Sequence, residues 1–174
     1  QAPAARLSCR VMGQQFGGVV FLSVLEIFKI GVGPSSSHTM GPMIAANRFA
    51  RGHLDNPAPG TSIEVVLWGS LAFTGKGHAT DRAVILGLAG IAPETLEPGH
   101  ADQVLDSARR DHRLPLGGGG WLDFDPEQAI RFAFGERLDA HSNALTFRLK
   151  GADGALLAEE VYYSVGGGFV LTEA

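Results

Sequence analysis

The chain has 174 residues, enough for one domain with an ordinary core, and its 45% hydrophobic and 18% charged residues exclude a disordered tail. Its formal net charge of −4, without any Lys/Arg run, argues against a nucleic-acid partner, which needs a basic stripe over the phosphates. The one cysteine, Cys9, cannot close an internal disulfide or hold a zinc or iron–sulfur centre, so a reducing, cytoplasmic setting is expected and any metal must come from elsewhere.

Residues 1–20 lack clear periodicity and read as an N-terminal extension. Gly17 to Gly33 is apolar behind Arg6 and Arg10, the coarse outline of a secretory signal. Ser23, Glu26 and Lys29 interrupt it, no small-residue cleavage site follows, and it is too short and charged to span a bilayer, so no membrane association is expected. Within it, Phe21 to Ile30 reads as a short strand or helical segment.

Thr39 to Arg51 has a helical pattern, and Pro42, which lacks an N–H, sets the helix start near Thr39. After a Pro57, Pro59, Gly60 loop, Ser62 to Trp68 is a strand with Ile63, Val65 and Leu67 on one face. A Gly-rich turn leads to a helix over Thr80 to Ala89, capped near Thr80 and ended by Gly90. Asp102 to His112 reads as a surface helix and Gly117 to Gly120 as a flexible connector. Three strands close the chain, around Ile130–Phe134, Leu145–Leu149 and Leu156–Val165, with Asp153-Gly154 turning between the last two. The expected fold is α+β: a mixed four-stranded sheet, helices on one face and the other face partly polar, in αβαβββ order with an extra helix inserted. The front strand–helix–strand unit should be parallel and the closing hairpin antiparallel. The domain spans 21–170, and 171–174 read as the start of a linker.

Ser35, Ser36, Ser37, His38 and Thr39 crowd hydroxyls and an imidazole onto a helix start. Free first-turn N–H groups there make a cradle for a small anion such as a carboxylate, while plain capping is the simpler reading. The Gly69–Asp81 segment is no phosphate loop: five residues rather than four separate Gly69 from Gly75, and Gly77 rather than Ser or Thr follows Lys76. It leaves a glycine-flanked His78 before a helix, whose positive end disfavours an imidazolium, as a general base requires. Asp81 stands three residues on, to orient His78 or to favour the helix start, and a purely structural histidine is the competing reading. His141 and Asn143 share one side of an extended chain, to bind substrate or to begin a strand. Gly166–Gly168 permit close approach of a ligand or a domain, or form a hinge. Of the three lysines, only Lys76 lies in a loop suited to a pyridoxal-phosphate Schiff base, and nothing else supports that cofactor.

Three segments, Ser23–Met43 with its Gly33-Pro34-Ser35-Ser36-Ser37-His38-Thr39 core, Gly69–Asp81 and Tyr162–Val170, together resemble the β subunit or N-terminal β domain of the iron–sulfur-dependent L-serine dehydratases. The resemblance runs from Phe21 to Val170. It departs at His141-Ser142-Asn143, where the family usually shows His-Pro-Asn, and so loses a rigid turn. It implies conversion of L-serine to pyruvate and ammonia, with a [4Fe–4S] cluster held by cysteines of an α domain, one iron of which acts as Lewis acid on the leaving hydroxyl. His78 would then be the base and His141 would assist. Ser35, Ser36, Ser37, His38, Thr39, Lys76, Asp81 and Asn143 would bind substrate, and this chain would ligate no metal. The implied partner is the α domain or subunit, in a homo-oligomer of the full enzyme, and the isolated chain should be inactive. A related domain in some phosphoglycerate dehydrogenases senses small anions, so the alternative is an allosteric anion- or serine-binding domain.

Overall fold

The computed structural model describes residues 7–8 and 35–173. Gly33, Pro34 and the expected element at Phe21 to Ile30 lie outside them. In chain order the elements are β1 (Leu7–Ser8), a π-helical turn (Ser36–Met40) running into α1 (Gly41–His53), β2 (Ser62–Gly69), α2 (Ser70–Thr74), α3 (Thr80–Leu88), α4 (Pro98–Asp106), β3 (Arg113–Pro115), β4 (Trp121–Asp123), α5 (Pro126–Ala129), β5 (Ile130–Ala133), β6 (Asn143–Lys150), β7 (Leu156–Gly166) and β8 (Phe169–Glu173).

The α+β class with a mixed sheet is as the sequence implies, but the sheet has six strands among the described residues rather than four, in the order β1-β8-β7-β6-β2-β5. β5 runs parallel to β2, because the intervening helices carry the chain back across the sheet, and all other neighbours are antiparallel. The first addition is β8. Gly166, Gly167 and Gly168 all have left-handed φ (96°, 61° and 78°) and fold back as a hairpin, so residues 171–173 continue the sheet instead of opening a linker. The second is β1, paired to Thr172 and Glu173.

Helices α1 and α3 pack on one face of the sheet. Met43, Phe49, Val65, Leu67, Ile85, Leu88, Leu145 and Phe147 are all at most 1% exposed there. Phe49 stacks on Phe147 at 5.2 Å, and Tyr162 meets Phe147 edge-on at 5.6 Å. Each such buried side chain contributes about 1.5–3 kcal/mol. The opposite face is largely polar. Glu64 accepts from Lys150 at 2.8 Å, Arg148 pairs with Glu159, and the Arg131 guanidinium lies over the Trp68 ring at 5.3 Å.

The expected surface helix begins at Pro98 rather than Asp102, as α4, and is no surface ornament: its Ala101, Val104 and Leu105, and Ala108 in the π-helical turn that follows, are buried in the core. Gly117 to Gly120 form the turn of the β3–β4 hairpin, closed by the Leu116 N–H to the Gly120 carbonyl at 3.2 Å. Among the described residues no helix is long and apolar enough to cross a membrane.

Candidate functional site

One end of the sheet gathers the candidate residues. The pairing registers bring the C-terminal ends of β2, β5 and β7 beside the N-terminal end of β6, where Gly69 faces Asn143 and Ala144 faces Tyr163. Gly69 has a left-handed φ of 54°, and a Cβ there would sit 2.3 Å from the Ser142 carbonyl oxygen. Only glycine makes that bend, and the bend delivers Ser70 to the site.

Ser35 caps the π-helical turn: its Oγ accepts from the His38 N–H at 3.2 Å, which bears out the capping role for that residue. Ser36 Oγ accepts from the Gly167 N–H at 3.2 Å, tying the turn to the β7–β8 hairpin. The buried Ser164 hydroxyl donates to the Ser37 carbonyl at 2.7 Å. The His38 ring is held between hydroxyls, with Nδ1 2.9 Å from Ser37 Oγ and Nε2 2.9 Å from Ser70 Oγ. Partial burial first, and then the charge of His78, hold His38 below its ordinary value, so the ring is biased to neutrality.

The His78 ring lies 5.1 Å from that of His38, centroid to centroid. Its Nδ1 is 2.9 Å from the Thr74 carbonyl oxygen, which can only accept, so Nδ1 carries the hydrogen and the neutral ring keeps its lone pair on Nε2. His141 has the opposite assignment. The Asn143 N–H donates to its Nδ1 at 3.0 Å, leaving the hydrogen on Nε2. The Ser142 carbonyl accepts from the Ser70 N–H at 2.8 Å. Asn143 Nδ2 donates to the Ser164 carbonyl at 3.3 Å. Two imidazoles of complementary tautomer thus sit at one end of the sheet with a third, His38, that is biased to neutrality beside His78, and such tautomers can take one proton and give another.

Lys76 and Asp81 do not join this cluster. They line an adjoining cleft of about 730 Å³ with Arg109, His112, Asp125 and Phe132. Lys76 Nζ sits 5.4 Å above the Phe132 ring, and Asp81 lies 4.0 Å from Arg109 rather than orienting His78. Thr39 is fully buried, its hydroxyl given to the His78 carbonyl. His53 pairs with Glu160 and His112 approaches Asp125, both apart from the cluster. Ser70 and Ser164 join the site without a distinctive motif of their own: Ser70 directly follows a strand-ending glycine, and Ser164 lies two residues before three consecutive glycines, the stronger local signal.

A [4Fe–4S] cluster with one iron open to substrate takes three cysteine thiolates, and the chain has Cys9 alone. Among the described residues no group of three or more His, Cys, Asp or Glu could hold a metal ion.

Comparison with known proteins follows the same lines. The model of the family described as serine dehydratase beta chain matches residues 23–174. The chain is 44% identical over 151 residues to an L-serine dehydratase of Helicobacter pylori, covering 87% of this chain and 33% of that protein. It is 43% identical over 157 residues to the L-serine dehydratase of Mycobacterium bovis, with 87% and 33% covered. It is 39% identical over 158 residues to L-serine dehydratase 2 of Escherichia coli, with 87% and 34% covered. The chain thus spans about a third of the length of the curated relatives it matches.

Proposed function

The chain belongs to the serine dehydratase beta-chain family, and from that premise we propose that it supplies the proton-transfer and substrate-gripping part of an enzyme converting L-serine to pyruvate and ammonia. The reaction removes the α-proton and the β-hydroxyl of serine; the resulting enamine tautomerises to an imine, which water hydrolyses. His78 is the base, its Nε2 lone pair accepting the α-proton while the Thr74 carbonyl holds the ring in that tautomer. His141, with its hydrogen on Nε2, donates to the substrate. His38, Asn143 and the hydroxyls of Ser35, Ser36 and Ser37 grip its carboxylate or ammonium, and Lys76 and Asp81 flank the approach from the adjoining cleft.

The single observation that carries this reading is the opposite tautomer of His78 and His141 at one end of the sheet. The family's [4Fe–4S] cluster belongs, in this proposal, to the larger remainder of the enzyme, an α domain or subunit. Four exposed apolar side chains, Phe73, Phe134, Val165 and Phe169, stand at the same end of the sheet and support docking of that partner there.

The test is His78→Ala in the complete enzyme. Turnover should fall about 10²- to 10⁴-fold while serine binding persists. If turnover at saturating serine survives and only the activation lag changes, the domain is regulatory, as in some phosphoglycerate dehydrogenases.

A further inference from the structure

Two buried threonines reach across to each other's histidine. Thr39, next to His38, donates its hydroxyl to the carbonyl of His78 at 2.8 Å. Thr80, two residues beyond His78, donates its own to the carbonyl of His38 at 2.5 Å. Both side chains are 0% exposed. A hydroxyl at a helix start ordinarily caps its own helix, yet α3 begins without any side-chain cap, and Ala79 before it is left-handed at φ 56°. The hydroxyl that could have capped has gone to the other loop instead. Each bond fixes the backbone from which the opposite imidazole projects, and the two rings lie 5.1 Å apart with their planes tilted by 36°.

We infer that Thr39 and Thr80 form a reciprocal clasp that sets the spacing of the His38 and His78 rings, which makes both threonines positioning residues of the proton-transfer site. The inference rests on the reading of His78 as the base. It moves Thr39 from the substrate-contacting set to the support behind it.

The groups facing His38 are the hydroxyls of Ser35 and Ser37 from its own turn, Ser70 from α2, and the His78 imidazole. Of the titratable and charged groups on the elements packed against that turn, Tyr162 and Tyr163 of β7 donate to Glu160 and Glu173, and Arg51 of α1 is exposed. Asp81 and Arg82 of α3 are turned to Arg109 and Asp102. Arg48 and His53 of α1 are turned to the Val170 carbonyl and Glu160. His78 is therefore the titratable neighbour whose distance matters, and the clasp governs that distance.

Valine keeps the shape of threonine and removes the hydroxyl, whereas serine keeps the hydroxyl. Thr39→Val, Thr80→Val and Thr80→Ser, each in the complete enzyme, should be compared by two readouts. One is the pH profile of kcat/KM for serine. The other is the pH midpoint of carbethoxylation of His38 and of His78 by diethyl pyrocarbonate, mapped by mass spectrometry. Either valine should raise the His38 midpoint toward that of a free histidine and lower kcat/KM by about tenfold to a hundredfold, as for a displaced reacting group. Thr80→Ser should retain both. Should one valine variant fail to fold, the other breaks the same clasp from its opposite side. Unchanged midpoints in the valine variants, or a serine variant as impaired as valine, would overturn the inference. A shifted midpoint with unchanged kcat/KM would uphold the clasp and overturn His78 as the base.

Discussion

Replacing Gly41 by alanine should loosen the serine turn from the sheet. A methyl group at Gly41 would lie 1.9 Å from Ser164 Oγ and 2.8 Å from Ser164 Cβ. Ser164 is 0% exposed, and its hydroxyl is already given to the Ser37 carbonyl at 2.7 Å. Forcing the methyl in costs about 1–3 kcal/mol of overpacking. If Ser164 turns aside, the Ser37 carbonyl loses its partner at a further cost of about 1–3 kcal/mol. Alanine's better helix propensity returns at most about 1 kcal/mol. The net loss is about 3 kcal/mol, or roughly 6–12 °C in Tm for a chain of this size. Denaturant unfolding of Gly41→Ala, Ser164→Gly and the double variant measures it as a cycle. Ser164→Gly clears the space, so the double variant should be more stable than the summed singles by at least about 1 kcal/mol. Additive singles, or a Gly41→Ala protein within about 0.5 kcal/mol of the parent, would refute the reasoning.

Gly87→Ala tests the seam between α1 and α3 in the same way: its Cβ would stand 2.3 Å from the Met43 carbonyl oxygen and 2.7 Å from Ala46 Cβ. Because backbone cannot yield as a side-chain tip does, thermal unfolding should register a loss of about 3 kcal/mol or more. The buried tyrosines predict an alkaline limit. Burial, and then bonds to Glu160 and Glu173, push the Tyr162 and Tyr163 hydroxyls above their ordinary value of 10.0. The unfolded chain therefore ionises first as pH rises, and stability present below pH 10 is lost above it. Thermal melts between about pH 8 and 11 should show that fall, and Tyr162→Phe should flatten it.

Much of this architecture is legible from local pattern. Ile63, Val65 and Leu67 alternate along β2, Pro42 marks the first turn of α1, and Asp153-Gly154 closes the β6–β7 hairpin, all from short-range chemistry. The misreadings share one cause, which is that the deciding partner is distant in sequence. Gly166–Gly168 can be a hinge or a hairpin, and only the pairing of Phe169–Glu173 against β7 decides. Thr80 has the sequence mark of a cap, but its acceptor is His38, 42 residues away. Asp81 stands at the right spacing to orient His78, yet Arg109 beyond α4 takes it. The site was legible as residue types in loops, because Ser35–Thr39, His78 and His141 are chemically distinctive. Their tautomers were not, since those depend on which backbone group meets each ring nitrogen.

The most direct test is a structure of the complete enzyme with serine, or an unreactive analogue, bound. On this account His78 Nε2 points at the substrate α-carbon and comes within about 3.5 Å of it, close enough to take its proton. Ser70 would still hold His38, and His141 would face the same ligand. A ligand bound with His38, His78 and His141 all beyond about 10 Å would contradict the account, since proton transfer needs direct contact or one bridging water.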